Sequence, residues 1–138
     1  MIPHHQQAIE MAQMALDEPT SSARVKALAT SIKGAQDPEI QMMNGWLEAW
    51  GMPMHTPSGH GMTMGEGMMT DADMSDLMKQ RGVAFDDMWT TMMIAHHQGA
   101  ISMANDALVT STNADVLALA RAVISGQEQE VAKMRRWI

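Results

Sequence analysis

Four of the six histidines occur as two His-His pairs, His4-His5 and His96-His97, inside nearly identical phrases. These are Met1-Ile-Pro-His-His-Gln-Gln-Ala-Ile-Glu-Met-Ala12 and Met93-Ile-Ala-His-His-Gln-Gly-Ala-Ile-Ser-Met-Ala104, at an offset of 92. Imidazole beside thioether at matching places in two copies is a donor set for soft metal ions, foremost Cu(I) and its surrogate Ag(I). Helical periodicity divides each pair, because adjacent residues point about 100° apart and cannot easily share one ion. Steps of three and four from His5 reach Ile9, Ala12 and Leu16, and from His97 they reach Ile101, Ala104 and Leu108. His5 and His97 therefore face the apolar interior. His4 shares its stripe with Ala8 and Met11, and His96 with Met92, Ala100 and Met103, which places both at a seam between helices.

A second stretch repeats at an offset of 91: residues 25–46 match 116–137, pairing Leu28 with Leu119, Met43 with Met134 and Trp46 with Trp137. On these segments the apolar positions 25, 28, 32, 43, 46 and 50, and 116, 119, 123, 134 and 137, follow helical steps. The positions that continue each stripe without being apolar are Gln36 and Glu39, and Gln127 and Glu130. Folding each hairpin about its turn sets residue 5 roughly opposite 37 and residue 97 roughly opposite 126. The interior is then expected to contain a polar layer of His5, His97, Gln36, Gln127, Glu39 and Glu130. Burying such groups costs several kcal/mol unless they are paired or bind an ion. Three readings of the layer stand: mutual hydrogen bonding, a metal held by His and Glu with Gln in support, and coupled proton chemistry. No His follows an acidic residue by three positions, so the Glu-x-x-His signature of di-iron carboxylate bundles is missing.

The chain has 18 Met and no Cys. Methionine is ordinarily a gap-filler in cores, and this number exceeds that need. Lack of Cys excludes disulfides, thiolate zinc sites, iron–sulfur clusters and thiol catalysis. Along the second phrase, Met88, Met92, His96 and Met103 share a helical face; along the first, His4, Met11 and Met14 do. Met93, Met43 and Met134 complete the candidate ligands on helices. Residues 51–69 are rich in Gly and Pro and cannot form a helix or a useful apolar surface. They nevertheless carry Met52, Met54, His55, His60, Met62, Met64, Met68 and Met69. Thioethers in such a segment gain nothing from packing and are prone to oxidation, so soft-metal capture is the expected role.

A length of 138 residues fits one domain, and a net charge of −7 argues against nucleic acid or an anionic membrane as partner. Apolar runs end well short of the about 20 residues a spanning helix needs. Glu18-Pro-Thr-Ser-Ser22 and Thr110-Ser-Thr-Asn113 are turn signals that also supply N-caps. The expected architecture is an all-α, ferritin-like four-helix bundle of two duplicated hairpins, 1–50 and 85–138, related by a pseudo-twofold along the bundle axis. A Met/His/Gly-rich linker, 51–70, and a short helix at about 71–81 join them. Pro38 is expected to kink its helix or free a backbone carbonyl. Residues 82–92 form an earlier part of the helix that carries the second phrase. The first phrase starts at Met1 without such a lead-in, and the N-terminus is expected to be trimmed relative to the natural chain.

The doubled phrase, the Phe85-Asp86 lead-in, and the Gln-x-x-Glu and closing Trp of each second helix resemble the "domain of unknown function 305" family over essentially the whole chain. The resemblance implies a ferritin-like bundle, commonly exported to the periplasm or cell surface, and includes His- and Met-rich copper-resistance proteins. The family motif carries over to His4, His5, Met11, His96, His97 and Met103. The Met-rich linker aligns this chain with the copper-handling members. The expected function is a non-enzymatic, extracytoplasmic protein that sequesters or relays Cu(I), with metal ions and other copper-handling proteins as partners. The alternatives are a ferritin-like redox enzyme using the His/Glu layer, and a structural bundle without metal.

Overall fold

The computed structural model describes residues 1–51 and 67–138. Five helices are present among them: α1 (Ile2–Asp17), α2 (Ala23–Ala49), α3 (Asp71–Met78), α4 (Gly82–Thr110) and α5 (Ala114–Arg135). The architecture is all-α, as expected. Helices α1 and α2 form one hairpin and α4 and α5 the other, and α1 lies against α4. Ser22 caps α2 by accepting from the Val25 N–H, and Asn113 caps α5 through the Asp115 and Val116 N–H groups, so both turn signals act as read. Helix α3 carries a capping box between Thr70 and Asp73. Helix α2 runs unbroken through Pro38, which leaves the Gly34 carbonyl without its helical donor.

The pseudo-twofold is perpendicular to the bundle axis, not along it. Helices α1 and α4 are antiparallel: His4 stacks on His96, and two turns further Trp89 Nε1 donates to the Met11 carbonyl at 2.8 Å. The start of α4 lies at the turn of the first hairpin, where Gly82 N–H donates to Thr20 Oγ1 at 2.7 Å and Arg81 pairs with Glu18 at 3.1 Å. Helix α2 ends at the opposite end, about 40 Å away for 27 residues. Starting from that turn, α4 runs back against α1. Periodicity alone carries no information about helix direction.

Asp86 is a buried acid at this end. It accepts from Ser21 Oγ at 2.8 Å and from the Ser22 N–H at 3.0 Å, tying α4 to the N-terminus of α2. Replacing Asp86 with alanine leaves the buried Ser21 hydroxyl unpaired. The variant is expected to lose about 1–3 kcal/mol in urea unfolding, and a loss below about 0.5 kcal/mol would contradict that role.

The two ends of the bundle are packed differently. At one end Phe85 and Trp89 are buried in a core with Ala15, Val25, Leu28, Ala29, Ile32 and Met134, with Trp137 packed beside them. The repeat-related residues at the other end are Ala107, Val116, Leu119, Ala120, Val123, Met43 and Trp46. They line an open apolar groove of about 360 Å³ rather than a filled core. Met11, under Trp89, is fully buried, whereas its counterpart Met103 is half-exposed. Trp50, expected on the core stripe, is exposed by 52% at the C-cap of α2.

Candidate metal centre

The polar layer lies between these two ends. His4, His5, His96 and His97 are all buried, with exposures of 2% or less. His5 Nε2 pairs with Glu39 Oε2 at 2.6 Å, and His97 Nε2 with Glu130 Oε2 at 2.5 Å. Each pair spans one hairpin, and the two occupy equivalent places in the repeat. Mutual hydrogen bonding thus accounts for one nitrogen of each inner histidine. Gln36 and Gln127 are buried as well, and their Oε1 atoms have no hydrogen-bond partner among the described residues; nor do the Nδ1 atoms of His5 and His97.

The outer histidines converge. His4 and His96 are equivalent positions expected at a seam between helices, and that seam is the one between α1 and α4, where their rings meet with centroids 3.7 Å apart and planes 35° from parallel. Neither nitrogen of His96 has a hydrogen-bond partner among the described residues. Burial, and then the nearby rings of His4, His97 and His5, hold its pKa down from 6.5 to about 2. His96 is accordingly a neutral imidazole at physiological pH, with a lone pair and an N–H both removed from water. That is a costly arrangement for a side chain whose only task is packing. A neutral imidazole is also the form that binds metal.

The methionines divide into groups. Met11, Met93 and Met134 are fully buried, and Met43 and Met92 nearly so; all five belong to hydrophobic clusters. Met14, Met103, Met68 and Met69 are half-buried. Met52, Met54, His55, His60, Met62 and Met64 lie outside the described residues. Among the described residues, no three His, Asp or Glu side chains come together as a metal-binding group. A centre at this seam would therefore draw on imidazole and thioether, the donor pair that suits Cu(I) and Ag(I).

Two residues of the site escaped the sequence reading. Gln7 clamps the peptide of Met69 on both sides: its Nε2 donates to the Met69 carbonyl at 2.9 Å, and its Oε1 accepts from the Met69 N–H at 2.7 Å. Gly67, at φ +73°, lies so close to α4 that an added Cβ would come within 2.3 Å of the Ala95 carbonyl oxygen and 3.2 Å of the Gly99 Cα. A signal was present, since Gln7 and Gly99 are equivalent positions at which the doubled phrase departs from identity.

Comparison with known proteins agrees with this frame. A DUF305 protein of Streptomyces coelicolor is 34% identical and superposes with a TM-score of 0.86, covering 97% of this chain and 84% of its own. CopM in its Cu(I)-bound form is 30% identical with a TM-score of 0.82, and in its silver-bound form 31% identical with a TM-score of 0.80; both cover 99% of this chain and 88% of their own. CopM has also been solved with Cu(II). No curated protein matches the chain. The model of the family described as "Domain of unknown function (DUF305)" matches residues 1–138, and the chain belongs to that family.

Proposed function

We propose that this protein is a non-enzymatic, extracytoplasmic binder of Cu(I) and Ag(I) that sequesters or relays the ion and contributes to copper resistance or homeostasis. The observation that carries the reading is His96, an imidazole with 1% exposure and no hydrogen-bond partner among the described residues, stacked on His4. A soft cation satisfies the lone pair that the protein leaves bare. Met92 and Met103 share the helical face of His96, and Met11 and Met14 that of His4, so thioethers can complete the coordination. The likeness to CopM, which binds copper and silver, supports the same class of cargo. The linker methionines and histidines recruit ions to the bundle, and other copper-handling proteins are the partners of a relay.

The redox-enzyme alternative would use the layer of His5, His97, Glu39 and Glu130, in which each histidine pairs with the carboxylate of its own hairpin; oxidase activity, or iron or manganese retained through chelation, would favour it.

Native mass spectrometry under Ag(I) or Cu(I) titration tests the reading. The full chain should take up several ions, and a variant with residues 52–66 replaced by a Gly-Ser linker should lose some of them while keeping one at the bundle. Unchanged stoichiometry would refute the linker's role, and complete loss would refute the seam.

A further inference from the structure

We infer that residues 67–69 form a strap latched over the α1/α4 seam, and that its opening controls passage to His4 and His96. The strap is held on both helices. Gln7, three residues beyond His4 on α1, grips the peptide of Met69 through two hydrogen bonds. On α4 the backbone of Gly67 rests against Ala95 and Gly99, which flank His96 in sequence and lie on one face of the helix.

Helical bearings define what the strap covers. At about 100° per residue, Gly99 points between Met88 and Met92 and lies about 60° from His96. On α1, Gln7 lies between Met11 and Met14, about 60° from His4. The strap therefore follows the methionine-bearing edge of the seam, and Met14, Met69 and Met88 are half-buried against the same core cluster. An ion entering by this edge meets thioethers before imidazoles.

The latch has the properties of a reversible closure. Two neutral hydrogen bonds, part-buried and distant in sequence, are each worth a factor of roughly two to twelve in an equilibrium. They are strong enough to keep the strap down most of the time and weak enough for it to lift without unfolding the bundle. Gly67 fits only because it has no side chain and can take a positive φ. Gln7 is thus a positioning residue, acting through the strap and not as a ligand.

The inference rests on the copper-binding reading for its purpose, but not for its test. Carbethoxylation of the metal-free full chain by diethyl pyrocarbonate, followed residue by residue by mass spectrometry, reports on the strap alone. In Gln7→Ala, His4 and His96 should be modified about tenfold faster than in the wild type, with His5 and His97 unchanged. Gly67→Ala should act in the same direction. If all four histidines accelerate together, the variant has loosened the whole bundle and the strap is not a local closure. If none accelerates, the latch has no role. In the metal-loaded protein, the same variants should release Ag(I) to a competing thiol faster at unchanged stoichiometry. Faster modification with no metal bound by any form would preserve the strap and refute the copper reading; faster modification with unchanged silver release would refute control of passage.

Discussion

Replacing His96 with leucine should make the metal-free protein more stable while removing the metal from the seam. Leucine is close in size to histidine and carries no polar atoms. The wild-type ring takes an N–H and a lone pair out of water without a hydrogen-bond partner among the described residues. Relieving that penalty is expected to raise unfolding free energy by about 1–3 kcal/mol. Loss of the imidazole should weaken binding at the seam by more than the about 10–100-fold typical of losing a residue that only supports a ligand. Urea unfolding without metal, paired with Ag(I) competition titrations, measures both effects. A variant that is destabilised and still binds silver as before would show His96 to be a packing residue.

Acid should erode the stability of the metal-free protein from just below neutrality. His96 has its pKa held at about 2 in the folded chain, against 6.5 for an ordinary histidine. Above 6.5 the ring is neutral whether the chain is folded or unfolded, and its neutral burial counts in full. Below 6.5 the unfolded chain takes up a proton that the folded chain refuses, so stability is lost as pH falls. For a single proton the slope is about 1.4 kcal/mol per pH unit. Urea midpoints at pH 7.5, 6.5, 5.5 and 4.5 should show it, and His96→Leu should flatten the profile by one proton. Bound Ag(I) should delay the loss, because the ion and the proton compete for the same lone pair. Parallel profiles for wild type and variant would mean that His96 does not carry the effect.

Periodicity in the sequence was enough to separate the two kinds of histidine. It also placed Gln36, Glu39, Gln127 and Glu130 on the interior stripe, where the His–Glu pairs form. It could not reveal that His4 and His96 meet. That contact depends on α4 running against α1, and the apolar facing of a helix is the same for either direction. Direction likewise decided the twofold axis, which was expected along the bundle and lies across it. Asp86 was recognised as part of a motif, but its role in holding the turn of the other hairpin depends on a contact 64 residues away. Gln7 shows a different limit. As an amide among the methionines of α1 it has no distinctive chemistry, and its mark in the sequence is the mismatch with Gly99, one of three in the doubled phrase beside Pro3/Ala95 and Glu10/Ser102.

That mismatch bears on how a duplicated protein can diverge. A twofold axis through the seam makes Gln7 and Gly99 interchangeable in the backbone, yet a single crossing chain has a direction and cannot obey the axis. One member must offer an amide to grip Met69, and the other must withdraw its side chain so that Gly67 can pass. The two halves have consequently become left and right versions of one module. A chimaera carrying two identical copies of either phrase should retain its hydrophobic stripes but lose one side of the crossing.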